Sequence, residues 1–293
     1  MNFQRYLRKQ NRLIERALDR FLPAERQPPQ MLHKAMRYSV LAGGKRLRPI
    51  LCLAAAEAVG GKEKDALLPA LAVEILHTYT MIHDDLPCMD DDDLRRGKPT
   101  AHVAFGEANA VLAGDALLTL AFEWIAAAAP PPPYAPRRLI LELARAAGNR
   151  GVIAGQVEDL ACEGKKPSAA KVFRIHFHKT AALIRAAARI GAICGGADKT
   201  ELAAISRYGE KGGLAFQIAD DILNETSSPE SIGKAAGSDR ARGKMTYVAV
   251  YGLSGAKQTA RQLAAEARKH LRPLRGKTEP LAALVDFIVT RKV

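Results

Sequence analysis

The sequence predicts an all-α protein, and three observations carry that prediction. Alanine and leucine dominate the composition and runs of β-branched residues are few, which favours helices over strands. Apolar residues recur at three- and four-residue spacing along the longer segments. The breaks between them are Gly43-Gly44 and the Pro130–Pro133 run, residues that end helices. The chain has 293 residues, of which 48% are hydrophobic and only 5% aromatic, enough for one sizeable core. We read residues 1–293 as a single domain, because helical patterning resumes at Arg137 with no change of composition.

Taken in order, residues of about 2–21 alternate charge with Leu, Ile and Phe at helical spacing. A second helix is expected over about 29–41, stopping at Gly43-Gly44. The segment GGKRLRP follows. Lys45, Arg46 and Arg48 bracket its loop, and Pro49 opens the next helix in a favourable first-turn position. Basic side chains beside a helix N-terminus make a phosphate cradle, although basic loops are as often purely structural. Helices are expected next over about 50–59 and 65–89, then over about 100–127, with Trp124 in the core and Asp115 capping or bonding within it. After the proline run, a helix over about 137–160 ends in IAGQVEDL. The segments FHKTAALIRAAARIGAI and YGEKGGLAFQIADDILNETSS come next. GLSGAKQTARQLAAEARKHL and TEPLAALVDFIVTRKV close the chain as amphipathic packing helices.

Chemistry concentrates in HDDLPCMDDDDLRRGKPTAH, residues 83–102, where six of the ten residues from Asp84 to Asp93 are aspartate and Arg95 and Arg96 follow. Carboxylates this dense repel one another unless cations or solvent screen them. An acid run alone is usually a solvated loop, but here an apolar helical segment delivers it to a fixed pair of guanidiniums. Carboxylate oxygens suit Mg²⁺, which completes its shell with water and phosphate oxygens. Arginines bind phosphate through charge-assisted hydrogen bonds. Together they suggest a polyphosphate substrate held through metal bridges. The core of the motif recurs: IHDDLP at 82–87 against IADDIL at 218–223, with Gln217 one turn before Asp220 on the same face.

The order of these segments resembles the short-chain trans-polyprenyl diphosphate synthases, the farnesyl and geranyl diphosphate synthase family. The resemblance runs from GGKRLRP to the C-terminal tail. It implies an isoprenoid-synthase-type helical bundle around a deep central cavity, and head-to-tail condensation of isopentenyl diphosphate with dimethylallyl or geranyl diphosphate. It implies about three Mg²⁺ ions, held by Asp84, Asp90 and Asp220. Isopentenyl diphosphate would be bound by Lys45, Arg48, His77 and Arg96. The allylic diphosphate would be bound by Arg95, Lys179, Thr180, Gln217, Lys234 and Lys244, the Lys179-Thr180 pair sitting at a helix break. Asp85 and Asp221 complete the catalytic set. Gln156 and Asp159 are expected to face the cavity, and the basic tail at Arg291 and Lys292 to help close it. A homodimer is implied as well. The second motif departs from the family's DDxxD pattern at Asn224, which keeps a neutral oxygen and loses a charge, so weaker ligation of one ion is expected there. Tyr79 and Thr80, five and four residues before Asp84, fall where the family sets product length. A tyrosine floor implies a short product, farnesyl diphosphate, with geranyl or geranylgeranyl diphosphate as alternatives. A terpene cyclase would need no second substrate site, and a non-catalytic partner subunit would tend to lose aspartates.

The formal net charge of +13 admits nucleic acid, an anionic membrane surface or anionic metabolites as partners. No zinc-finger spacing or aromatic RNA-binding signature supports nucleic acid. Cys52, Cys88, Cys162 and Cys194 lack paired spacing and read as small buried thiols of a reducing compartment. Glu15 and Asp19 argue against a transit peptide, and no uninterrupted apolar run reaches membrane-span length. We expect a cytoplasmic protein without stable membrane insertion.

Overall fold

The computed structural model describes residues 2–226 and 242–290. The helices among them are α1 (Phe3–Phe21), α2 (Gln30–Val40), α3 (Leu47–Ala58), α4 (Glu63–Asp84), α5 (Ala101–Phe105), α6 (Glu107–Ala126), α7 (Pro136–Ala147), α8 (Val152–Cys162) and α9 (Ala169–Ile175). A π-helical turn, His176–Ala181, leads into α10 (Ala182–Cys194), and α11 (Lys199–Thr226), α12 (Tyr247–Lys269) and α13 (Glu279–Thr290) complete the order. Local chemistry sets several ends. The Asn2 side chain accepts the Arg5 N–H at 3.0 Å to cap α1, and the Thr246 hydroxyl accepts the Ala249 N–H at 3.1 Å to cap α12. Glu63 and Asp65 sit in the first turn of α4, where negative charge complements the helix dipole.

Helix α4 is the centre of the bundle, packed by α3, α6 and α10. Ile14, Leu53, Ile75, Leu117, Leu139 and Leu183, from six different helices, are fully or almost fully buried in one hydrophobic cluster. Small residues bring backbones close: a Cβ at Gly191 of α10 would lie 1.9 Å from the Cys52 carbonyl oxygen of α3. This is how an alanine-rich, aromatic-poor sequence reaches native packing density.

The structure redraws several expected boundaries. Helix α4 ends at Asp84, not near Met89, so the acidic residues after it form a loop. The stretch over 100–127 is broken by Gly106 at φ 84°. The stretch over 137–160 is broken between Ala147 and Val152. Gly252, at φ 69°, kinks α12. Residues Leu94–Arg95 and Lys98–Pro99 form a two-stranded antiparallel hairpin. Its turn residues Arg96 (φ 55°) and Gly97 (φ 74°) both take the positive φ that a tight two-residue hairpin requires. Cys88, in the acidic loop beyond the end of α4, is exposed rather than buried, while Cys52, Cys162, Cys194 and Trp124 are buried as expected. Asp115 is not: it is exposed, with an oxygen 3.8 Å from His83. Among the described residues, α6 alone is long and apolar enough by composition to cross a membrane. Glu107, Asp115 and Glu123 interrupt it, and its Ala110, Ala113, Leu117 and Trp124 are core residues.

Candidate active site

The buried length of α4 drives its C-terminal carboxylates to one end of the bundle. There the acidic loop coils back over the helix end. Asp90 N–H donates to the Asp84 carbonyl (2.8 Å), Asp91 N–H to that of Leu86 (3.1 Å) and Asp92 N–H to that of Asp85 (3.2 Å). The orphan carbonyls of the last turn are thus satisfied by the loop itself. The hairpin then returns Arg95 to the same spot. Its Nε donates to both Asp85 oxygens at 2.8 and 2.7 Å, and its Nη2 also reaches Oδ1. Asp85 is 3% exposed, so the second aspartate of the pair anchors the hairpin. Burial, opposed by Lys179 and reinforced by Asp90, pushes the Asp84 carboxyl up to about 6.

The opposing wall comes from α8, the π turn, α11 and the start of α12. Lys179 Nζ meets Asp159 Oδ2 at 2.6 Å. Burial works against the Lys179 charge, but Asp159 and Asp84 outweigh it and its pKa is raised. The Thr180 hydroxyl donates to Gln217 Oε1 (2.6 Å), and Gln217 Nε2 donates to Asp221 Oδ1 (3.0 Å). Asp221 is buried and also accepts the Tyr247 N–H at 2.6 Å. Asp220, one residue earlier on α11, is partly exposed. A cavity of about 120 Å³ is lined by Asp159, His176, Lys179, Gln217, Asp221 and Lys244. Lys244 joins the walls: its Nζ lies 3.0 Å from Asp90. Arg242 reaches Asp92 at 2.9 Å and Asp90 at 3.4 Å. Asn224 lines an adjoining cavity of about 360 Å³ with Asp221 and Lys244.

A separate cationic set lies behind the first acidic motif. Arg96 donates to the Gly43 carbonyl, and a Cβ at Gly44 (φ 128°) would come within 2.7 Å of its guanidinium carbon. Only glycine lets the hairpin close on the GGKRLRP loop in this way. The Arg48 guanidinium stands 5.7 Å from the Phe216 ring centre, and Lys45 is exposed. Burial, then Arg48 and Arg96, hold the His77 pKa well below its ordinary value, so His77 is a neutral ring among arginines. Arg46 takes no part in this surface. It is buried, with Nε 2.7 Å from Glu15 and Nη1 2.7 Å from Glu74.

Among the described residues no three His, Cys, Asp or Glu side chains converge tightly enough to cage a metal by themselves. Asp84 and Asp90 nevertheless present hard oxygen donors in a buried place where like charges lie close. That donor set fits Mg²⁺ sharing its shell with phosphate and water.

A model of the polyprenyl synthetase family matches residues 29–279. The chain belongs to this family. It is similar to geranylgeranyl pyrophosphate synthase 4 of Arabidopsis thaliana, 47% identical over 99% of this chain and 78% of that protein. Among solved structures it resembles the geranylgeranyl pyrophosphate synthetase of Pyrococcus horikoshii, with a TM-score of 0.89 and 32% identity over 99% of this chain and 98% of that one. It also resembles the geranyltransferase of Helicobacter pylori complexed with magnesium and isoprenyl diphosphate, with a TM-score of 0.84 and 34% identity over 99% and 97%. The all-α fold expected from the sequence is the family's fold, and the chain is a prenyltransferase.

Of the residues expected at the site, the structure brings together Asp84, Asp85, Asp90, Arg95, Lys179 and Lys244, links Thr180, Gln217 and Asp221, and sets His77 beside Arg48 and Arg96. Lys234, Arg291 and Lys292 lie outside the described residues. Tyr79 is 5% exposed and meets the His83 ring edge-on at 5.6 Å. His83 Nε2 lies 3.1 Å from the Val111 carbonyl, so this face of α4 looks towards α6. The Tyr79 hydroxyl is buried with no partner in the protein, and burial, then Asp84, push its pKa up to about 12. Thr80 returns its hydroxyl to the His77 carbonyl at 2.8 Å. Sequence reasoning missed His176, Arg242 and the buried role of Arg46. Only the HxHK spacing hinted at the first, and nothing local distinguishes Arg46 from Arg48.

Proposed function

We propose that this prenyltransferase condenses isopentenyl diphosphate with an allylic diphosphate, and that geranylgeranyl diphosphate is its main product. The observation that carries the reading is the pair of distinct cationic sets flanking the first acidic motif. Lys179, Lys244 and Arg242 stand beside Asp84 and Asp90, while Arg48, Arg96 and neutral His77 lie behind. Two diphosphates can be held at once, which a cyclase does not require.

Mg²⁺ held by Asp84, Asp90 and Asp220 would supply charge neutralisation on the departing diphosphate; three ions is the number we propose. Lys179, kept protonated by Asp159 and Asp84, adds a fixed positive charge where the leaving group gathers negative charge. Lys244 and Arg242 exchange their carboxylate partners for phosphate oxygens. Arg95 acts by holding Asp85 and the hairpin in register. The allylic C–O bond breaks to a cation, and the double bond of isopentenyl diphosphate attacks it. A proton then leaves to the released pyrophosphate. No protein nucleophile is needed, and the buried walls keep water from the cation.

Tyr79 by itself favoured farnesyl diphosphate. The similarity to synthases named for geranylgeranyl diphosphate outweighs that one position, and the C15 product becomes the second reading, supported by the burial of Tyr79 at the α4–α6 wall. The protein works, on this proposal, as one catalytic unit in the cytoplasm, without membrane insertion and with diphosphates rather than nucleic acid as its anionic ligands. It pairs as a homodimer through Val103, Val111, Leu112 and Leu141, apolar side chains that are exposed on α5, α6 and α7. Pyrophosphate release tests the reaction: it should require isopentenyl diphosphate, an allylic diphosphate and Mg²⁺ together. Chromatography of the dephosphorylated products should show a C20 alcohol. Release from the allylic substrate alone would make the protein a cyclase or hydrolase instead. In light scattering, Leu112→Glu should halve the mass, and an unchanged mass would move the interface elsewhere.

A further inference from the structure

The hairpin of Leu94–Arg95 and Lys98–Pro99 lies on the outside of the molecule: Leu94 and residues 96–99 are exposed. Two strands of this length do not hold together by themselves in water, so the place of the hairpin depends on what ties it down. Packing does not complete its seat. A cavity of about 30 Å³ is lined by Arg95, Arg96 and Lys98 of the hairpin and by Thr78, Met81 and Ile82 of α4. Arg95 is tied by its Nε to both oxygens of buried Asp85. The Arg96 side chain donates to the Gly43 carbonyl and stands 3.8 Å from Met81 Sδ, a weak acceptor.

The register shows where the second strand can be held. Leu94 pairs with Pro99 and Arg95 with Lys98, and the Thr100 N–H donates to the Asp93 carbonyl at 2.9 Å. Facing pairs in an antiparallel ladder alternate between hydrogen-bonded and non-hydrogen-bonded. Asp93–Thr100 is a bonded pair, so Leu94–Pro99 is a non-bonded one and the Pro99 carbonyl points out of the hairpin. Proline has no N–H, so that carbonyl is the one backbone group by which Pro99 can be held. Tyr38 of α2 takes it, its hydroxyl donating at 2.8 Å. The Tyr38 ring is set in turn by Phe105 of α5, which it meets edge-on with centres 5.1 Å apart. Tyr38 lies in the last turn of α2 and Gly43 just beyond it. One short segment therefore grips the hairpin twice, at the Lys98–Pro99 strand and at the turn.

We infer that Tyr38 is a positioning residue for the isopentenyl diphosphate side of the site: its hydroxyl fixes the Lys98–Pro99 strand, and through it the Arg96 guanidinium, against the GGKRLRP loop. Arg95 does not depend on this bond. Its grip on Asp85 lies on the other strand and acts as the pivot about which a released hairpin would swing. Loss of the Tyr38 bond therefore reaches one substrate and spares the other. This role rests on the prenyl-transfer reading proposed above.

The test is Tyr38→Phe, which keeps the ring against Phe105 and removes the hydroxyl alone. Steady-state pyrophosphate release should show the KM for isopentenyl diphosphate raised roughly 5- to 10-fold, the scale of one hydrogen bond. The KM for the allylic substrate and kcat should stay within about twofold of wild type. The bond lies at the surface, so the fold is not at stake and the melting temperature should move by no more than about 2 °C. Combined with Arg96→Gln, Tyr38→Phe should cost nothing further, because the tyrosine acts through that arginine. An unchanged KM for isopentenyl diphosphate, an equal rise for both substrates, or simple multiplication of the two single losses would each overturn the inference. So would a lowered melting temperature with both KM values intact, which would leave Tyr38 a purely structural residue. A wild-type protein inert with both substrates sinks the functional reading; an active one indifferent to the Tyr38 hydroxyl sinks only the positioning role.

Discussion

Replacing Arg46 by methionine separates the fold from the second-substrate site. The Arg46 side chain is fully buried, bonded to Glu15 and Glu74 at 2.7 Å each and to the Val40 carbonyl at 2.5 Å. The Glu15 side chain is 36% exposed and can return to water, whereas that of Glu74 is 3% exposed and cannot. Removing one partner of a buried ion pair costs about 3–5 kcal/mol; with one carboxylate recoverable by solvent, the low end applies, about 3 kcal/mol. At roughly 2 °C per kcal/mol for a chain of this size, the melting temperature should fall by roughly 6 °C. Lys45 and Arg48 flank Arg46, and Glu74 lies one turn before His77. The KM for isopentenyl diphosphate should therefore rise about 10-fold, while that for the allylic substrate stays within about twofold. Differential scanning calorimetry and steady-state pyrophosphate release measure the two effects. Arg46→Met with Glu74→Leu should recover stability, since an apolar pair can replace a buried ion pair, without recovering KM. A melting temperature within about 1 °C of wild type in Arg46→Met, or an equal rise in both KM values, would refute the reasoning.

Three further outcomes follow from the geometry. Tyr79→Ala removes a buried ring from the α4–α6 wall, and liquid chromatography should show products longer than those of wild type; an unchanged distribution puts the floor elsewhere. Gly155→Ala places a Cβ 2.1 Å from the Lys179 backbone nitrogen, against backbone that cannot yield, so kcat should drop at least about 10-fold as the π turn is displaced. Wild-type kcat in that variant would mean the turn is not held by α8. Asn224→Asp restores a charge to the second motif, and the Mg²⁺ concentration for half-maximal rate should fall several-fold; no change in that titration would remove Asn224 from the ion's surroundings.

The candidate site was legible along the chain because its acidic and basic groups are local in sequence. Asp84 and Asp90 are brought together by one helix end and one short loop, and the arginines follow within a dozen residues. Helix content was legible because periodicity and composition are local too. The helix breaks at Gly106 and before Val152 were not, since the apolar period runs on across them. Neither were the roles within adjacent like residues. Arg46 and Arg48 are the same residue type two positions apart. Arg46 turns inward because its acceptors, Glu15 and Glu74, lie 31 residues upstream and 28 downstream. Asp85 and Asp221 became anchors because of the side chains and backbone groups that other segments placed beside them. The sequence by itself determined which charged groups stand near one another along the chain. Only tertiary packing decided which of two neighbouring charges is consumed by the fold, because a buried charge must be matched by partners that the chain order does not bring near.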